Sequence, residues 1–227
     1  YDLYQRNPIE RFAEQYWKEN GIDGWEEYKT IPDRLYIGNA FCHLVFPKEE
    51  QLFTLMEKAI VENVEITLVF PCMREFQVEE RGKLLKKVDN WCEKRQTRVE
   101  ILVNDWGMIA LVKESGKHLE PCLGVLLNKQ KKDPRMRYKK GSTRGLGESN
   151  LQADFYRTFL KDTYGITRYE WESCGYPQVF PQGKNSLHLP YYQTNTSQYC
   201  PLYASCTEGE RGKQRLPEHC PGYCEQY

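Results

Sequence analysis

"EITLVFPCMREFQVEERGKLLKKVDNWCEKRQTRVEILVN", residues 65–104, holds two short apolar runs, 65–70 and 99–104, on either side of a longer charged segment. Within that segment Leu84, Leu85, Val88, Trp91 and Cys92 recur at three- and four-residue intervals, the spacing of one helical face. A short apolar run, a crossover helix and a second short run make the β/α unit of a parallel sheet. The same alternation extends in both directions. Residues 34–39 ("RLYIGN"), 121–127 ("PCLGVLL"), 167–173 ("TRYEWES") and 186–192 ("SLHLPYY") read as four more strands. Residues 47–63 and 150–165 read as further helices, the second with Asn150 as N-cap and Gly165 just past its end. Ile9, Phe12, Tyr16 and Trp17 mark an amphipathic helix in the lead-in 1–33. Six such strands form a doubly wound sheet or a partial barrel, and periodicity does not choose between them. Either fold gathers its sites at the C-terminal strand ends, here Gly38, Asn39, Cys42, Asn104, Asp105, Asn128, Glu172 and His188.

The 227 residues include 32 basic and 32 acidic side chains, so no global field recruits nucleic acid or an anionic membrane. No apolar run reaches membrane-spanning length, so no membrane insertion is expected, and residues 1–20 lack the basic-then-apolar order of a signal peptide. The chain reads as soluble and cytoplasmic, a setting in which thiols stay reduced. One segment breaks the β/α rhythm: "NKQKKDPRMRYKKGSTRGLGES", 128–149, a surface loop with eight basic residues against Asp133 and Glu148. Lys131, Lys132, Arg135 and Arg137 there are candidates for contact with RNA phosphates or a partner, against the plainer reading of a solvated loop.

Four of the nine cysteines crowd the tail as Cys200-x5-Cys206-x13-Cys220-x3-Cys224. Two thiols with three residues between them reach one centre from a single turn, and a second pair completes the four ligands that both tetrahedral zinc and a [4Fe-4S] cluster require. Prolines after Cys200 and Cys220 lean toward iron and sulfide, and the absence of short C-x2-C knuckles leans away from zinc. Cys72, Cys92, Cys122 and Cys174 lie in or beside apolar runs and read as core. Cys42 follows the first strand and is a fifth candidate for four places.

The ordered series "YIGNAFC" (36–42), "VNDWGM" (103–108), "GVLLN" (124–128) and "HLPYYQTNTSQYC" (188–200), followed by the Cys220/Cys224 pair, resembles the collagenase-like peptidase family. The likeness is greatest to its iron-sulfur members that serve oxygen-independent ubiquinone hydroxylation. The resemblance implies an α/β fold, an incomplete TIM-barrel-like parallel β/α domain over 1–192, with a cysteine-rich cluster-binding tail over 193–227. It implies a [4Fe-4S] cluster on Cys42, Cys200, Cys220 and Cys224, with Cys206 the alternative ligand and zinc the alternative metal. His188, Asn104 and Asp105 match family positions near the site, although a turn or helix cap suits Asn104 and Asp105 better than substrate contact. The relatives carry further strands beyond their cluster cysteines, so the barrel is expected to be open or closed by another chain.

Three functions follow from the likeness. The first is a cluster-bearing subunit of an anaerobic redox or hydroxylation system, in a hetero-oligomer with a homologous or larger redox subunit. The second is an RNA-modifying hydroxylase. The third is a non-catalytic iron-sulfur or zinc module that braces or relays electrons in a complex. No Ser-His-Asp set, Cys-His set or HExxH supports a peptidase.

Overall fold

The computed structural model describes residues 1–21, 32–130, 148–174, 178–189, 199–213 and 215–226. Six strands, β1 (Arg34–Gly38), β2 (Glu65–Val69), β3 (Val99–Val103), β4 (Leu119–Leu123), β5 (Arg168–Glu172) and β6 (Lys184–His188), pair in chain order and all in parallel. Between them run α3 (Glu49–Val61), α4 (Val78–Arg95), α5 (Trp106–Ser115) and α6 (Asp154–Tyr164), after an opening α1 (Asp2–Arg6) and α2 (Ile9–Glu19); α7 (Pro201–Glu208) and α8 (Tyr223–Gln226) form the tail. The fold is an α/β half-barrel, consistent with an incomplete TIM-like barrel. Among the described residues no helix is long and apolar enough to cross a membrane.

Strand side chains alternate between two faces, and here the faces differ in chemistry. The outer set, Leu35, Ile37, Ile66, Leu68, Ile101, Val103, Leu123 and Trp171, packs on Leu52, Leu55 and Met56 of α3, Leu85 and Val88 of α4, and Met108, Ile109 and Val112 of α5. The inner set is polar through most of its height and meets across the sheet. The Tyr36 hydroxyl on β1 donates to Glu170 on β5 at 2.8 Å, and the rings of Tyr36 and His188, on the first and last strands, lie 6.0 Å apart. A flat sheet would hold those two strands about 24 Å apart at five interstrand spacings. Polar side chains reaching for one another across the concave face therefore accompany a strong curl.

Gly38 ends β1 at φ +119, where a Cβ would stand 2.1 Å from the Val69 carbonyl oxygen. Gly38→Ala is expected to cost at least about 1–3 kcal/mol in backbone strain alone, read as a lowered urea midpoint. At the other end of the range, Gly165 closes α6 at φ +74, as its position in the sequence predicts.

Three expectations are corrected. β4 spans Leu119–Leu123 rather than 121–127, because Gly124 donates its N–H to the Val103 carbonyl at 2.8 Å and the chain turns; the apolar "GVLL" is turn, with Leu127 buried. β6 spans Lys184–His188 rather than 186–192, and 190–192 lie outside the described residues. Asn150 does not cap α6: its amide donates to the Leu127 carbonyl and its Oδ1 accepts from the Lys129 N–H, both at 3.1 Å, while α6 starts at Asp154. Periodicity does not reveal α5, whose first turn is held by a side-chain cap from Asp105.

Candidate functional site

Cys42 is fixed by the turn that leaves β1. Asn39 Oδ1 accepts from the N–H groups of Phe41 (2.8 Å) and Cys42 (2.9 Å), a local bond that Asn makes readily and that holds the half-buried thiol just beyond the strand end. In the tail, Cys200 is the N-cap of α7; its Sγ accepts from the Tyr203 N–H at 3.4 Å, and Pro201 occupies the first helical position, where its missing donor costs nothing. α7 stops at Gly209 (φ +69), and α8 packs back on it through Tyr203 and Tyr223, whose rings are 6.2 Å apart. Cys220 precedes α8 and Cys224 lies within it.

The Cys224 thiol is held above its ordinary value, first by what burial it has and then by the negative charge of Cys42 and Cys220. Cys42 and Cys220 are thus within electrostatic range of Cys224. Cys200 and Cys224 belong to α7 and α8, which pack on each other. Cys206 and Cys224 are both exposed. Six residues beyond the Cys200 cap, Cys206 stands about 9 Å further along the helix and about 120° round from it.

Asp105 and Asn104 are structural ties. Asp105 Oδ1 accepts from the Met108 N–H, capping α5, and Oδ2 accepts from the Met73 N–H, both at 2.8 Å. Asn104 donates to the Phe70 carbonyl at 3.0 Å, linking the ends of β2 and β3. Asn128 donates to the Glu170 carbonyl at 2.9 Å and does the same for β5. His188 is different, because its Nε2 meets the carboxylate of Glu170 on the inner face of the sheet. Lys131, Lys132, Arg135 and Arg137 lie outside the described residues.

The inner face carries a network that the sequence reading did not single out. Arg168 donates to Glu100, to Ser186 and, at 2.7 Å, to the Tyr36 hydroxyl, and lies 3.1 Å from Glu170. Thr67 donates to Glu100 at 2.7 Å, and Arg34 pairs with Glu65 and Glu100. Glu100, Cys122 and Glu170 place ligand atoms within 4.8 Å of one another. A cation already stands among them in the guanidinium of Arg168, and the Cys122 thiol is pushed well above its ordinary value by burial and then by Glu100 and Glu170. The trio is a salt-bridge network with a protonated thiol. The signal for it was available: in "TRYEWES" Arg168, Glu170 and Glu172 alternate with Tyr169 and Trp171, and period-two charges within a strand require a polar face.

Burial raises the Glu100 carboxyl, against the downward pull of Thr67, Arg168 and Arg34, and Glu170 adds to the rise. A carboxyl raised on folding contributes stability that is present below its unfolded value and lost as pH rises through the folded one. Glu100→Gln should therefore flatten the fall in urea stability as pH rises above the ordinary glutamate range.

A cavity of about 780 Å³ opens at the N-terminal strand ends, lined by Arg34, Glu65, Glu100, Glu120, Arg168 and Lys184 among others. It lies at the end opposite Cys42 and His188, the end that parallel β/α folds devote to stability rather than chemistry. The position of the thiols outweighs its size. No protein-family model, curated protein or solved structure matches the chain.

Proposed function

We propose that this chain binds a [4Fe-4S] cluster through Cys42, Cys200, Cys220 and Cys224. In this reading it serves as the iron-sulfur subunit of an oxygen-independent redox or hydroxylation system, a UbiV-type protein paired with a homologous or larger redox subunit. The observation that carries the reading is the neighbourhood of Cys42, Cys220 and Cys224, drawn from opposite ends of the chain. The donor set fits the group: all four thiols are free of disulfides, three are half-buried, and thiolates are the ligands of cubane clusters. The sequence likeness supplies the subunit role and chooses Cys42 over Cys206.

When bound, such a cluster supplies one-electron transfer. The chain's own residues would hold it: Asn39 fixes the Cys42 backbone, and the α7 cap orients Cys200. Protein isolated without oxygen is expected to be brown, with about four irons per chain. Because ligands from both ends of the chain would be tied together, removing iron with a chelator is expected to free the tail to protease. A colourless protein carrying one zinc would overturn the reading.

A further inference from the structure

Among the described residues one buried side-chain polar atom lacks a hydrogen-bond partner, and it is Nε of Arg74. Buried donors are almost always bonded, and an unbonded one destabilises the fold that holds it. Arg74 stands in the turn between β2 and α4, at the C-terminal strand ends where parallel β/α folds place their ligands. Its backbone is fixed on both sides: the Arg74 N–H donates to Gln77 Oε1 at 3.0 Å, and the Arg74 carbonyl accepts from the Gln77 N–H at 2.9 Å. The main chain there is held, while no described residue ion-pairs with the guanidinium.

Arg81 flanks the same spot. It follows Gln77 by four residues, about one helical turn, and with Gln77 and Met73 it lines a void of about 10 Å³. Its guanidinium lies over the rings of Phe46 and Phe70, 5.1 and 5.6 Å from their centroids, and those rings stack on each other at 4.7 Å. Contact with ring faces satisfies none of the five N–H donors of an arginine, and no described residue accepts from those of Arg81. Both arginines lie within electrostatic range of His43. The carboxylates around them do not pair with them: Asp105 is bonded to the Met73 and Met108 N–H groups, Glu79 to Lys83, and Glu75 and Glu80 bond to neither arginine, although Glu80 is within electrostatic range of Arg81.

We propose that Arg74 and Arg81 form a binding site for a phosphate group, free or carried as a monoester, at the C-terminal ends of β1 and β2. An arginine met side-on offers Nε–H and one Nη–H as parallel donors to two oxygens of a single anion. A carboxylate has two oxygens and is filled by one such fork, whereas a phosphate has at least three and a second charge, so it answers both arginines. The void beneath Arg81 is too small for the anion, which lies outside it against the guanidinium edges. Rotation of the outer bonds of Arg74 brings its covered Nε to the anion and gives that donor the acceptor it lacks. The site uses none of the four cysteines, so iron content measured on the same samples separates its failure from failure of the cluster.

The test is titration calorimetry at low ionic strength on the full chain isolated without oxygen, with inorganic phosphate and glycerol 3-phosphate as probes and acetate as the comparison anion. Saturable binding of phosphate is expected, and the ratio of the two phosphate affinities tells a free from an esterified ligand. Arg74→Met and Arg81→Gln should each weaken that binding at least about tenfold, the loss of one charge-assisted hydrogen bond. Phosphate should also raise the urea midpoint of the parent but not of the variants. Without phosphate, Arg74→Met is expected to match or exceed the parent's urea midpoint, because it removes an unbonded donor rather than a bond; an arginine with a merely structural role would lower it. No saturable binding of either phosphate, undiminished binding in both variants, acetate bound as tightly as phosphate, or a lowered urea midpoint for Arg74→Met would each overturn the proposal.

Discussion

Arg168→Ala is expected to lower the stability of the folded chain by about 3–5 kcal/mol, the cost of removing one partner from a buried ion network. Arg168 is 9% exposed and is shared by Glu100, Glu170, Tyr36 and Ser186. Without it, two carboxylates from β3 and β5 face each other within the curl of the sheet, and the hydroxyl of Tyr36 loses its donor. The deficit should be larger at neutral than at acid pH, because protonating Glu100, whose carboxyl burial already raises, relieves the repulsion. Adding Glu100→Gln to Arg168→Met should recover part of the loss, since satisfied or apolar replacement of both partners is far cheaper than stranding one. Urea unfolding of the single and double variants measures this. A loss under about 1 kcal/mol for Arg168→Ala would mean that the inner face is open to water and the network is merely superficial.

Cys42→Ser is expected to reduce iron from about four per chain to near none in protein isolated without oxygen, whereas Cys206→Ser keeps the full complement. The contrast follows from position. Cys42 is set at the end of β1 by two bonds to Asn39 and lies within electrostatic range of Cys224. Cys206 is exposed on α7, well round the helix from the Cys200 cap. Both substitutions exchange sulfur for oxygen with little change of volume and lie outside the main core, so folding does not confound the comparison. Iron retained in Cys42→Ser and lost in Cys206→Ser would put the centre wholly within the tail.

These two variants probe features that were unequally legible in the sequence. The strands of "RLYIG", "EITLV" and "VEILV" were readable because apolar runs of five or six residues between amphipathic segments have few alternatives in a chain of this size. β4 was misplaced because Gly124 and the residues after it are apolar yet turn, and hydrophobicity does not distinguish a strand from a buried turn. Periodicity does not mark α5, although Asp105 caps it, because its apolar residues run nearly unbroken. The tail cysteines were conspicuous by count alone, whereas the importance of Cys42 rested on its place after a strand and on likeness.

Sequence by itself determined a parallel β/α chain with free thiols gathered at two points, because short-range periodicity and residue type carry that information. Only the tertiary structure decided how far the sheet curls, and with it that Tyr36 on β1 meets Glu170 and His188 on β5 and β6. The physical reason is that curvature comes from contacts between strands distant in the chain, where Arg168, Glu100 and Glu170 find one another.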